Sequence, residues 1–146
     1  MIDAVVEART PQLSVTFVGA APASATDHDV AWQITNDGRD AVEILESWLP
    51  HGQFYADREP CSPASRLEPG AGVRIGRRVR CGGEGDEVEN AFLILQLRSG
   101  GAAWRLFTRL RVIKEAGGAA RPVVEAVTLQ PVGFAVREAE AGPTKT

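Results

Sequence analysis

Apolar residues recur at every second position along most of this chain. In LSVTFVG the alternating residues are Leu13, Val15 and Phe17, and in DVAWQITN they are Val30, Trp32 and Ile34. AVEIL places Val42 and Ile44 on one face, and GVRIGRRVRC alternates Val73, Ile75, then Val79 and Cys81. AFLILQLR sets Ala91, Leu93, Leu95 and Leu97 on one side with Phe92 and Ile94 opposite. WRLFTRLRV alternates Trp104, Leu106, then Leu110 and Val112, and VVEAVTLQPVGFAV supplies one or two more runs. A period of two is that of a strand with one face in a core. The best helical stretch, residues 2–8, is short and weakly patterned.

Turn residues punctuate these runs. NDGRD follows Ile34 and reads as a tight turn, with Gly38 available for a positive φ. RSGGA separates two strong runs by a hairpin-length loop, and EPGAG introduces the run at Val73. Short strands with frequent turn signals predict an all-β fold, an antiparallel β-sandwich of seven or eight strands. One domain over residues 1–137 is expected, followed by a tail over 138–146 that lacks apolar content.

The pattern formed by Trp32, Ile34, Asn36, Asp37 and Gly38, then a paired strand, then Leu67, Pro69 and Gly70 before another strand resembles bacterial immunoglobulin-like sandwich modules over residues 13–113. The resemblance departs from antibody-type domains. No Cys precedes Trp32 at the required spacing, and no Tyr stands at the corner before a second core Cys. It implies an architecture and no activity.

A chain of 146 residues can bury a core without metal or disulfide support. No apolar run approaches the roughly 20 residues of a membrane helix. The start, MIDAVVEARTPQ, has no basic segment ahead of an apolar one and is not a secretory signal as written, so a cytoplasmic protein is expected, or a periplasmic or secreted one if a signal peptide has been removed. The net charge of −3 conceals an asymmetry. Residues 1–65 carry three Arg against ten acids, whereas residues 66–111 carry nine Arg against five. Either the two parts attract each other within one domain, or a charged face is offered to a partner.

Catalytic chemistry finds little footing. His28 and His51 are the only imidazoles, no Ser sits in a G-x-S-x-G turn, and Glu43 and Glu46 have opposite strand parity, so no catalytic residue is assigned. His28, His51, Cys61 and Cys81 lack the close pairing of zinc ligands, and DHD and NDGRD do not form a calcium loop, so no metal or other cofactor is expected. A hairpin about Ala71 would set Cys61 opposite Cys81, close enough for a disulfide, although Pro60, Pro63 and Pro69 weaken that pairing.

SWLPHGQFYADREPC, residues 47–61, gathers Trp48, Leu49, Phe54 and Tyr55 around Pro50 and Gly52. It is too apolar for a free loop, and either lids the core or meets a partner. Arg74, Arg78 and Arg80 share one strand face, and Arg105, Phe107, Arg109 and Arg111 share another. If those faces adjoin they form a cationic patch, better suited to an acidic protein than to nucleic acid at a sequence pI near 5.4. The expectation is a non-catalytic protein-interaction module, an accessory subunit or small partner of a larger assembly. Its binding residues would be Trp48, His51, Phe54, Tyr55, Arg78 and Arg109. The alternative is a carbohydrate-binding module using the aromatic loop 47–55, and a third reading is a small enzyme of unrecognised mechanism.

Overall fold

Eight antiparallel strands, each seeded by one of the alternating runs, make up the computed structural model, which describes residues 9–132 apart from 84 and 117 and the side chains of 62 and 63. They are β1 (Leu13–Pro22), β2 (Asp27–Asn36), β3 (Val42–His51), β4 (Phe54–Leu67), β5 (Gly72–Cys81), β6 (Glu87–Ser99), β7 (Ala102–Lys114) and β8 (Ala120–Pro131). Among the described residues there is no helix, and none long and apolar enough to cross a membrane. The helical stretch 2–8 and the tail 138–146 lie outside the described residues.

The strands form one sheet in the order β1-β2-β5-β4-β3-β6-β7-β8. Its two end strands, β1 and β8, run beside each other without a shared ladder, so the sheet is a nearly closed barrel. This corrects the expected division into two separate layers. The long β3–β4 hairpin keeps β4 paired to β3 from Val42↔Leu67 to His51↔Phe54, and β4 also reaches β5 at Phe54↔Cys81 and Tyr55↔Arg80. Those two pairs are the whole β4–β5 ladder, which makes that junction a seam.

The alternation decides what is inside. Trp32, Ile34, Ile44, Leu49, Phe54, Leu93, Leu95, Leu97, Leu106 and Leu110 are all fully buried and belong to one core cluster. Thr108 stands between Leu106 and Leu110 on the inward face, and its hydroxyl has no hydrogen-bond partner among the described residues. A buried hydroxyl without a partner costs stability, and valine has nearly the same shape. Thr108→Val should therefore raise stability by about 1 kcal/mol in urea unfolding. A loss of that size would show that the hydroxyl is bonded.

One turn follows its sequence reading and another departs from it. The β6–β7 hairpin turns on Gly100 and Gly101, both at positive φ as a two-residue hairpin turn requires. NDG does not use positive φ at Gly38. There the Gly38 N–H donates to Asn36 Oδ1 at 2.9 Å, closing a side-chain turn, and a Cβ on Gly38 would lie 3.3 Å from the Gln12 backbone nitrogen. The connection 37–41 carries the chain from β2 over to β3, which are not neighbours, and 68–71 carries it back from β4 to β5. Both cross at the same end of the barrel, and Asn36 joins them. Its Nδ2 donates to the Asp40 and Leu67 carbonyls at 2.9 and 3.0 Å, while its backbone pairs with Gly70 and Ala71.

Candidate functional site

The stretch 47–61 is the tip of the β3–β4 hairpin, turned by Gly52 and Gln53. Strand alternation divides its apolar residues between two faces. Leu49, Phe54 and Ala56 point into the core, and Phe54 is 0% exposed. Phe54 is thus a core residue and not a surface anchor. Trp48 and Tyr55 lie on the outer side, half-buried. His51 accepts the Gln53 backbone N–H on Nδ1 at 3.0 Å, which ties the imidazole into the turn. The Tyr55 hydroxyl donates to Asp57 Oδ1 at 2.7 Å, and that bond holds the phenol above its ordinary pKa. The Arg80 guanidinium stands 5.2 Å from the centre of the Tyr55 ring.

The outer face of β3, β6 and β7 gathers a second apolar group. Trp48, Ile94 and Phe107 are directly opposed across the three strands, and Thr128 continues the row on β8. Ile94 is only 8% exposed yet does not belong to the core cluster. It is covered from outside, between its cross-strand neighbours Trp48 and Phe107. Phe92 adds an edge-on contact to Phe107, with ring centres 6.4 Å apart. The next row along the sheet is polar: Glu46, Gln96, Arg105 and Gln130.

Two guanidinium groups lie over the indole of Trp48, that of Arg58 at 4.3 Å and that of Arg105 at 5.3 Å from the ring centre. Arg58 is bonded through Nε to Glu46. Arg105 is bonded through Nε to Gln96 Oε1 at 3.0 Å and has no carboxylate partner among the described residues. The sequence reading singled out neither Arg58 nor the pairing of Arg105 with Trp48. Residue 58 is ten positions from Trp48 in the chain, and only the hairpin brings the two together.

The cationic patch predicted from Arg78 and Arg109 does not form. Arg78 is on β5 and Arg109 on β7, with three strands between them in the sheet. Arg78 makes two bonds to Asp29, at 2.6 and 3.2 Å, which hold that carboxyl below its ordinary pKa. Arg109 faces Glu125 at 3.5 Å, and Arg111 bridges Glu87 and Glu125. The excess of arginine in residues 66–111 is largely neutralised by carboxylates from elsewhere in the domain.

Arg77 was also missed, although the alternation marks it. It has the parity of Val73, Ile75 and Val79, which is the inward one. Its side chain is 8% exposed and reaches across the β4–β5 seam. There it donates to the Ser47 carbonyl at 2.8 Å, to the Ser47 hydroxyl at 3.0 Å and to the Asp57 carbonyl, and it lies 3.6 Å from Glu59.

Cys61 and Cys81 are both free. The hairpin centred on Ala71 is not formed, because β4 turns its ladder to β3 and meets β5 only near Phe54. Cys81 is opposite Phe54, and seven residues of extended strand, roughly 20 Å, separate Phe54 from Cys61. That is too far for a bridge. Burial pushes both thiols above their ordinary pKa, so little thiolate is present at neutral pH. Mild oxidation followed by peptide mapping should find no intramolecular bridge, and alkylation of the folded protein should be slow. A Cys61–Cys81 disulfide in monomeric, folded protein would contradict the observed register.

No group of three or more His, Cys, Asp or Glu side chains placed to hold a metal occurs among the described residues. His28 is buried with Nε2 2.9 Å from the Gly118 carbonyl, two strands lie between it and His51 in the sheet, and among the described residues neither imidazole is hydrogen-bonded to a Ser, Thr or Cys side chain. No protein-family model matches the sequence, and no curated protein matches it.

Proposed function

We propose that this domain is a non-catalytic protein-interaction module, an accessory subunit or small partner of a larger assembly, and that it docks through the outer face of β3, β6 and β7. The observation that carries this reading is the apolar group of Trp48, Ile94, Phe92 and Phe107, which is separate from the core. Ile94 is covered by its neighbours, but Trp48, Phe92 and Phe107 are only half-buried, which leaves apolar surface for a partner to cover. Aromatic residues framed by arginine are the composition of interface anchors. We further read the architecture as immunoglobulin-like. The order β1-β2-β5-β4 followed by β3-β6-β7 is that of the two layers of such a domain, here joined through the β3–β4 hairpin.

The carbohydrate alternative loses its platform. Phe54, one of the three rings it would use, is inside.

The test compares variants of the full chain as bait in an extract of the native host, with quantitative mass spectrometry of what each retains. Trp48→Ala should weaken capture by about 2 kcal/mol if Trp48 is a central anchor. Arg105→Glu should weaken it as well, and Arg78→Glu, on the far side of the sheet, should leave it unchanged. Urea unfolding of each variant separates lost docking from lost fold. Equal capture by Trp48→Ala, or loss of capture only in proportion to lost stability, overturns this reading.

A further inference from the structure

We infer that the Arg58–Trp48–Arg105 group is a receptor for one side-chain carboxylate of an extended segment in the partner protein. This inference rests on the docking face just described and specifies what it receives.

Three observations lead to it. Both guanidinium groups spend only Nε on a neighbour: Arg58 on Glu46 and Arg105 on Gln96. Among the described residues their terminal NH2 groups have no acceptor, which leaves the edge of each fork that grips a carboxylate through two parallel bonds. Both groups lie over the same indole, at 4.3 and 5.3 Å, so the aromatic ring limits where they can swing and orients them before any ligand arrives. The local charge balance is the third. Arg58, Arg105, Arg109 and Arg111 stand against Glu46, Glu87 and Glu125, a surplus of one positive charge. One carboxylate matches that surplus. A nucleic acid, with a phosphate on every nucleotide, would bring further negative charge against Glu46 and Glu125.

The strand geometry also sets the spacing of the segment. Arg105 and Phe107 are two residues apart on one face of β7, roughly 7 Å. An extended peptide repeats at the same interval. An acidic residue and an apolar residue separated by one position therefore reach Arg105 and the Trp48–Ile94–Phe107 row together. The recognised pattern is acid–x–apolar in an extended conformation.

The experiment titrates the isotopically labelled full chain with two blocked peptides, Leu-Ser-Glu-Ser-Leu and Leu-Ser-Gln-Ser-Leu, and with oligouridylate, following indole and arginine Nε resonances. Substitution Trp48→Phe assigns the Trp48 indole signal. The glutamate peptide should shift the Trp48 and Arg105 signals and bind at least fivefold more tightly than the glutamine peptide. Arg105→Gln should reduce the glutamate peptide to the level of the glutamine one, and Arg105→Lys, which keeps charge but not the fork, should recover only part of the difference. If both peptides bind this face equally, the carboxylate receptor is refuted while the docking face stands. If neither shifts the face, or if oligouridylate binds more tightly than the glutamate peptide, the inference is refuted. The capture experiment above then decides separately whether the face docks a protein.

Discussion

Asn36→Asp is expected to destabilise the domain by roughly 3 to 5 kcal/mol, a large part of the 5 to 15 kcal/mol that holds a typical domain folded. The change replaces one nitrogen by one oxygen, so volume is not the cause. Asn36 is 0% exposed, and its Nδ2 donates to both the Asp40 and Leu67 carbonyls. An oxygen there turns two hydrogen bonds into two contacts between acceptors, and an ionised one adds a buried charge. The bond from the Gly38 N–H survives, since the other oxygen can still accept it. The damage falls on the two crossovers, 37–41 and 68–71, which commit β3 and β5 to their places in the sheet. The introduced carboxyl should have its pKa raised by burial, because only the protonated form can donate. Its folded-state pKa then exceeds the unfolded value of about 3.9. The penalty is smallest below that unfolded value and grows as pH rises through the raised folded one. Urea unfolding at pH 4 and pH 7 checks this: the gap between wild type and variant should be narrower at the lower pH. A loss under about 1 kcal/mol at pH 7 would mean the amide is dispensable.

Arg77→Ala and Arg78→Ala should differ sharply although the residues are adjacent. Arg78 is 60% exposed at its side chain and pairs with an exposed Asp29, so its loss should cost less than about 1 kcal/mol. Arg77 stands in for a missing ladder. Beyond Phe54 and Tyr55 the backbones of β4 and β5 no longer pair, and its guanidinium bonds Ser47 on β3 and Asp57 on β4 from β5. Truncation takes Arg77 from the part-buried Ser47 carbonyl and hydroxyl, at about 1 to 3 kcal/mol for a buried group, and empties the seam, while the exposed Asp57 carbonyl returns to water. The expected loss is roughly 2 to 4 kcal/mol. It is not larger, because the carboxylate left behind, Glu59, is 65% exposed and returns to water. Arg77→Lys should recover only part of the loss, since a single ammonium cannot span acceptors on two strands. Equal stability of the Arg77→Ala and Arg78→Ala variants would show that the seam needs no plug. Hydrogen exchange should localise the Arg77→Ala effect to residues 56–59 and 73–79.

Most strands were legible because burial on one face imposes a period of two, and Leu93, Leu95 and Leu97 can face only one way. The same logic, applied strictly, would have found Arg77 inside. Pairing was not legible. The alternation of β4 fits β3 and β5 equally well, and nothing in EPGAG says whether the chain turns back on itself or crosses to another part of the sheet. The observed crossing is stabilised by Asn36, whose two partner carbonyls, on Asp40 and Leu67, are not visible in a string of letters. The same limit governs the surface. Alternation continued from Val42 and Ile44 would put Trp48 inside; a bulge between Ile44 and Glu46 reverses the parity, so that Leu49 faces the core and Trp48 faces out, and Arg58 and Arg105 come over it only through the hairpin and the β6–β7 ladder. The charge asymmetry misled for a related reason. The acids of residues 1–65 and the arginines of residues 66–111 meet as cross-strand pairs, Asp29 with Arg78 and Glu43 with Arg98. What reads as a polarised chain is largely a neutralised sheet, and the surplus left at Arg105 is local.

The central claim is that the outer face of β3, β6 and β7 docks a protein, and the most direct measurement is hydrogen–deuterium exchange of the full chain with and without a partner captured by wild type and lost with Trp48→Ala. A partner on this face should slow exchange in residues 46–49 of β3, 92–96 of β6 and 105–109 of β7, and leave residues 28–34 of β2 and 73–79 of β5 unchanged. Protection confined to β2 and β5, with the three named segments exchanging as in the free protein, would contradict the account.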